Sequence, residues 1–229
     1  MAKKVLLAVD MDDTLTETRL IILKDIYNRL IQNGRLAEAT YVNQNYHISP
    51  LLWSKEMCDV VYEYVIESGD FMWCASPAKL VRDGLADLLR AFSDHQWGPY
   101  FKSVVCTHRG FHKSGLLATT DWLIRHNCDD VFSEVHALDP KEHPNKIDFL
   151  RKVYPDYEIL LLDDNPFHDP HLVHPYSDEV LIVETEHALP GYVNQEKFTD
   201  LDDLKVRIIR KMFGRRGYEK LIKQYADIA

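Results

Sequence analysis

The chain has 229 residues, 46% of hydrophobic and 28% of charged types. That is enough material for a real hydrophobic core, and it excludes a disordered, collagenous or fibrous chain. Acidic residues exceed basic ones by 36 to 27, a formal charge of −9, which argues against a protein that coats a nucleic acid polymer.

Val5–Val9 is a short continuous apolar run, the pattern of a strand buried on both faces. It ends in Asp10-Met11-Asp12-Asp13-Thr14. Two helical patterns follow. Leu20, Ile21, Leu23, Ile26, Leu30 and Ile31 carry the first, and Trp53, Met57, Val60, Val61, Tyr64 and Val65 the second. The interval 34–50 between them has no clear strand period. Ser76-Pro77 reads as a helix start, with Val81, Leu85, Leu88, Leu89 and Phe92 recurring on one face behind it.

Phe101–Cys106 is a second strand-like run leading into Thr107. Ser114–His126 predicts a helix packed through Leu116, Leu117, Thr120, Leu123 and Ile124, and Val131–Val135 a weaker strand. Ile147, Leu150 and Val153 mark a short helix. Ile159–Leu162 is a strand that runs into Asp163-Asp164, and Val180–Val183 is another. Leu201 opens a helix reaching Phe213; Gly214 and Gly217 interrupt it, and Tyr218–Tyr225 forms a last one. Strands alternating with helices predict an α/β fold: a Rossmann-like, mostly parallel sheet flanked by helices. Residues 1–16 and 76–229 would form the core, with a small helical cap, 17–75, inserted after the first strand. Active groups in such sheets gather at the carboxyl ends of the strands.

Cys58, Cys74, Cys106 and Cys128 form no CxxC pair and are too sparse for a disulfide scaffold. The apolar run after Lys4 is too short for a signal peptide, and no stretch has the length of a membrane span. A reducing, cytoplasmic compartment and no membrane partner are expected. Lys211, Arg215 and Arg216 read as solvated surface, and His168, His171 and His174 as a solvated loop. The oligomeric state stays open.

Asp10 and Asp12 stand two residues apart at a strand end. A turning chain brings both carboxylates to one site, where Asp10 can attack phosphorus and Asp12 can pass a proton to the leaving oxygen. Paired carboxylates repel a phosphate, and Mg²⁺ offsets that repulsion while preferring oxygen ligands. Asp163-Asp164-Asn165-Pro166-Phe167-His168-Asp169 supplies a second acidic cluster after another strand. Thr107 ends a third strand, where its hydroxyl and nearby N–H groups can hold phosphate oxygens. Lys146, preferred over its rival Lys141 because Ile147, Phe149 and Leu150 continue it into a helix, can neutralise both the phosphate and Asp10.

These residues resemble four motifs of the haloacid dehalogenase-like hydrolase superfamily, in its Mg²⁺-dependent phosphatase branch. Val9-Asp10-Met11-Asp12-Asp13-Thr14-Leu15-Thr16 is similar to the first, and Val104-Val105-Cys106-Thr107 to the second. Lys146 is similar to the third, and Leu161-Leu162-Asp163-Asp164 through Asp169 to the fourth. The resemblance implies Asp10 as nucleophile, forming an aspartyl-phosphate, and Asp12 as general acid and then base. It implies Mg²⁺ held by the Asp10 side chain, the Asp12 carbonyl and Asp164, with Asp163 close and Asp169 in support. Thr107 and Lys146 would bind the phosphoryl group. Asp13 stands where the family often has glycine, and His108 where it often has a small polar residue. Asp12 argues against the dehalogenase branch, which does not need that carboxylate.

The size and the cap also resemble the 5′(3′)-deoxyribonucleotidase family, whose cap contacts the base. Tyr41, Tyr46, Trp53, Tyr62, Tyr64, Phe71 and Trp73 are the aromatic candidates, against the plainer reading that they pack the helices. The expected partner is a small phosphorylated metabolite, foremost a nucleoside monophosphate. A sugar-phosphate or other small-metabolite phosphatase, a phosphosugar mutase and a non-enzymatic α/β binding module are the alternatives.

Overall fold

The computed structural model describes residues 2–93, 97–169, 171–184 and 189–226, with side chains to residue 219. Six parallel strands form one sheet: β1 (Val5–Val9), β2 (Phe101–Thr107), β3 (Glu134–Ala137), β4 (Glu158–Asp163), β5 (Val180–Ile182) and β6 (Glu196–Lys197), in the order β3-β2-β1-β4-β5-β6. Every residue of β1 is buried. Val5, Leu7 and Val9 face one apolar cluster, and Leu6 and Ala8 face the other. Strand periodicity thus splits a continuous apolar run between two layers.

Helices α6 (Leu85–Ser93) and α7 (Gly115–Arg125) and the C-terminal helix α9 (Leu201–Ala226) fill the layer of Val5, Leu7 and Val9. Helix α8 (Lys146–Val153) covers the opposite face through Ile147 and Leu150. Gly214, at φ 65°, breaks α9 where the glycine pattern predicts an interruption. No helix among the described residues is long and apolar enough to cross a membrane.

Between β1 and β2 the chain makes a helical excursion. It comprises α1 (Thr18–Gln32), α2 (Leu36–Gln44), α3 (Lys55–Val61), a π-turn over Tyr62–Ile66 and α4 (Phe71–Cys74). Leu23, Ile26, Leu30, Val42, Met57, Val60 and Phe71 belong to its own apolar cluster. The outgoing and returning segments lie side by side: Glu17 N–H donates to Ser76 O at 2.9 Å and Ala78 N–H to Leu15 O at 2.8 Å.

The interval 34–50 contains α2, whose short apolar face is carried by Ala39 and Val42 and gives little periodic signal. Three local expectations need correction. Ser76-Pro77 does not start a helix; Pro77 pairs with Thr16 in a β-bridge, and α5 (Lys79–Arg82) begins after Ala78. The third strand is Glu134–Ala137 and not Val131–Val135; Val131 and Phe132 are buried ahead of it and anchor its entry. Helix α7 buries Ala118, Thr119, Trp122 and Leu123, leaving Leu116, Leu117 and Ile124 more than half exposed. Trp122 decides that face, since its indole N–H donates to Ala75 O at 2.7 Å and must be satisfied when buried.

Candidate active site

Strand order reverses between β1 and β4. In open parallel sheets the crevice at the carboxyl ends of such a pair is the ordinary ligand site. Asp10 follows β1, and its N–H still donates to Leu162 O of β4 at 3.0 Å. Beyond it the chain wraps tightly around one carbonyl. Met11 O accepts the N–H groups of Leu15 and Thr16, each at 2.9 Å, and the Thr16 hydroxyl at 2.9 Å. Asp13 adopts φ 55°, a left-handed conformation that aspartate tolerates better than most residues. Its Oδ1 accepts the Arg19 N–H at 2.9 Å, capping an otherwise orphan donor in the first turn of α1. Aspartate at this position therefore fastens the root of the helical excursion.

From the other side of the crevice, Lys146 opens α8. Asn145 caps that helix by accepting the Ile147 N–H at 2.9 Å. The Lys146 ammonium reaches Asp10 Oδ1 at 2.6 Å and Asp163 Oδ2 at 2.7 Å, with all three side chains almost wholly buried. Asp163 Oδ1 is also engaged, by the Asn165 N–H at 2.7 Å. Asp164 makes no side-chain hydrogen bond or ion pair among the described residues, and it faces the cavity above the sheet. Carboxylate oxygens of Asp10, Asp163 and Asp164 lie within 4.8 Å of one another. Hard oxygen donors converging in this way fit Mg²⁺.

Asp12 is held separately. Arg109, fully buried, donates Nη2 to its Oδ1 at 2.7 Å and Nε to its Oδ2 at 2.9 Å. The Thr18 hydroxyl adds a bond to Oδ1 at 2.6 Å. Thr107, at the end of β2, has a buried hydroxyl without a hydrogen-bond partner, and it borders the same cavity. An unsatisfied buried donor costs free energy unless something completes it.

The charges respond to this packing. Burial, reinforced by Asp163 and Asp12 and opposed by Lys146, pushes the Asp10 carboxyl up to about 7. Burial also lifts Asp164 well above the ordinary carboxylate range, with Asp13, Asp163 and Asp10 adding to it. Burial acts to lift Asp12 as well, yet Arg109 and Thr18 hold it below its ordinary value. Burial works against the Lys146 charge, but Asp10 and Asp163 hold it above the ordinary lysine range. Arg109 neutralises Asp12, and Lys146 alone is shared by Asp10 and Asp163 beside the raised Asp164, a carboxylate cluster that a further cation would relieve.

The cavity over these groups measures about 620 Å³. Its floor is Asp10, Asp12, Thr107, Lys146 and Asp164; its upper wall includes Ile22, Val61, Tyr62, Ile66 and Phe71 from the helical excursion. Two of the seven aromatic candidates, Tyr62 and Phe71, reach this wall. Trp53 is buried and pairs edge-on with Tyr41, Tyr46 lies against His47, Tyr64 packs under Arg35, and Trp73 packs on the apolar cluster of the helical excursion. Lys141 is exposed on the rim, whereas Lys146 is inside. Asp169 turns away: its Oδ1 accepts the N–H groups of His171 and Leu172, and it is not among the converging carboxylates.

His108 borders the cavity, its Nε2 facing His143 O at 2.9 Å and its ring meeting His168 at 5.0 Å. Burial and Lys146 push its pKa down to about 2, so the ring is neutral. Arg109, Thr18 and Phe111 are contributors that sequence reading passed over. For Arg109 the available signal was a basic residue two places after the threonine that ends β2.

No protein-family model and no curated protein sequence matches the chain. Solved structures do. A protein described as a predicted phosphatase, from Clostridium acetobutylicum, is 14% identical with a TM-score of 0.53, covering 91% of this chain and 100% of its own. One described as a predicted phosphoglycolate phosphatase, from Haemophilus somnus 129PT, is also 14% identical at a TM-score of 0.53, covering 89% and 97%. At such identity the likeness is one of fold alone: the chain shares with these two proteins its overall fold, here a parallel sheet flanked by helices with a helical insertion after β1.

Proposed function

We propose that the protein is a Mg²⁺-dependent phosphomonoesterase that works through an aspartyl-phosphate, with a nucleoside monophosphate as its substrate. The observation that carries this reading is the convergence of Asp10, Asp163 and Asp164, with Lys146 on Asp10, at a cavity that Thr107, with its unpartnered hydroxyl, also borders. In this reading residues 17–75 are a cap over a core made of 1–16 and 76–229. Four free cysteines suit a reducing cytoplasm.

Asp10 attacks phosphorus, and the bond to the leaving oxygen breaks as the aspartyl-phosphate forms. Asp12, ionised in the resting protein, takes up a proton from solvent as the anionic phosphate binds beside it and gives that proton to the leaving oxygen. It then removes one from the water that attacks the phosphorus and releases inorganic phosphate. Lys146 and Thr107 hold the phosphoryl oxygens. Asp10, Asp164 and the Asp12 carbonyl would hold Mg²⁺, with Asp163 set between them and Lys146. Bound there, the ion neutralises charge on the carboxylates and the phosphoryl oxygens. Asp169 is left to shape its own loop.

The apolar wall with Tyr62, Phe71 and Phe111 supports a base-sized group beyond the phosphate. A small phosphorylated acid, the substrate class in the description of the Haemophilus neighbour, would leave that wall uncovered. The test is phosphate release from ribo- and deoxyribonucleoside monophosphates and sugar phosphates, with Mg²⁺ and with excess EDTA. Mg²⁺-dependent turnover of nucleotides is expected. Turnover confined to sugar phosphates would keep the catalytic assignment and discard the nucleotide; equal turnover in EDTA would overturn the mechanism.

A further inference from the structure

Arg109 is a large cation with no exposed surface, and it does not border the cavity. It cannot be a substrate-binding arginine in this arrangement. Its ion-pair partner among the described residues is Asp12, gripped through Nε and Nη2 at 2.9 and 2.7 Å. Its remaining nitrogen, Nη1, lies 3.5 Å from both Met72 O in α4 and Thr119 Oγ1 in α7. The guanidinium is therefore braced from behind by two helices while its fork faces one carboxylate.

A planar fork fixes the plane of the carboxylate it holds, which an ammonium on a flexible stem does not. The two oxygens of Asp12 are then unequal. Oδ1 accepts both Arg109 and Thr18, whereas Oδ2 accepts Arg109 alone and keeps the lone pair on which the transferred proton can be carried.

We infer that Arg109 is a positioning residue that aims Oδ2 of Asp12 at the leaving oxygen of the phosphate ester. This rests on the phosphatase reading above. Misaiming by about 1 Å is enough to cost roughly two orders of magnitude in such transfers. The damage falls on substrates whose leaving oxygen needs a proton.

The test compares kcat/KM for an alkyl ester, thymidine 5′-monophosphate, with that for p-nitrophenyl phosphate, whose phenolate leaves unprotonated. Both report the step that forms the aspartyl-phosphate. Arg109→Gln is expected to lower the alkyl value about 100-fold or more and the aryl value no more than about fivefold. Arg109→Lys keeps the charge without the fork and should show the same split, which serves if the glutamine variant unfolds. Asp12→Asn should show the split too, and Arg109→Gln added to it should cost little more, since both changes remove one function. An alkyl-to-aryl ratio unchanged from wild type in both Arg109 variants, or full additivity with Asp12→Asn, would overturn the inference and leave Arg109 structural. Wild-type protein that turns over neither ester would overturn the phosphatase reading itself, and this inference with it.

Discussion

The Lys146 ammonium sits 2.6 Å from Asp10 Oδ1, a contact between residues 136 apart in the chain. It joins the end of β1 to the start of α8, and through Asp163 to the end of β4 as well. Lys146→Gln leaves two buried carboxylates without their cation. Breaking a buried ion pair from one side costs about 3–5 kcal/mol, and removing one donor to a developing phosphoryl charge costs on the order of 10²–10³ in kcat. Urea unfolding in EDTA should show a midpoint well below wild type, and turnover with Mg²⁺ should fall by that factor. A variant with wild-type stability and kcat would remove Lys146 from the site.

Asp10→Asn keeps the shape of the side chain and an oxygen for Lys146 to bond. It removes the nucleophilic carboxylate. Near-native folding with turnover at background is the expected result. In acid-quenched samples, phosphate bound covalently to the wild-type chain should be missing from the variant. Persistent phosphoenzyme in Asp10→Asn would place the nucleophile elsewhere.

The central strands were legible because β1, β2 and β4 are buried on both faces: β1 and β4 carry unbroken apolar runs, Val5–Val9 and Ile159–Leu162, and β2 a shorter one, Val104–Cys106. Asp10, Thr107 and Asp163 were legible for the same reason, each closing such a run. Strand β3 is short and only partly buried, so the apolar pair Val131 and Phe132 ahead of it displaces the apparent strand by three residues. Helix α7 misled because Leu116, Leu117 and Ile124 are exposed while Trp122, Ala118 and Leu123 carry the packing. Arg109 stayed hidden for a different cause: a basic residue in a loop reads as solvated, and only the fold shows that its partner is Asp12, 97 residues away. Asp169 was grouped with its neighbours by sequence, but a turn after Asn165 directs it to its own loop.

The raised carboxyls make the metal-free protein sensitive to pH in a definite direction. Asp10 is lifted by burial to about 7 from an ordinary 3.8, and Asp164 is lifted well above the same value. A carboxyl with a higher pKa folded than unfolded holds its proton more tightly in the folded chain. Its stabilising contribution is complete below the unfolded value and is lost as pH rises through the folded one. Asp164→Asn removes one such group, so in EDTA its thermal midpoint minus that of wild type should grow from pH 4 to 8 (about this window). His108, lowered to about 2 by burial, acts oppositely but is common to both proteins and drops out of the difference. At about pH 8, Mg²⁺ at roughly 100 times its Kd should stabilise wild type by about 2.7 kcal/mol, and Asp164→Asn far less. A difference that stays flat with pH, or equal stabilisation of both proteins by Mg²⁺, would take Asp164 out of the metal site.

Tyr62 is the sharpest probe of what fills the upper cavity. It stands on the π-turn that continues α3, borders the cavity, and is 56% exposed. Its removal therefore opens no hole in the cap cluster. Phe71 borders the same space but is buried, so its truncation would confound binding with folding. Stacking of a base on one aromatic ring contributes about 1–3 kcal/mol. Tyr62→Ala should then lower kcat/KM for nucleoside monophosphates about tenfold, mainly through KM. Deoxyribose 5-phosphate carries the same phosphate and sugar without the base, so its kcat/KM should stay within about twofold of wild type. Equal losses for both substrates would mean that Tyr62 shapes the cap and not the base site. No loss for either would leave the base, if one binds, to the deeper wall of Phe71 and Phe111.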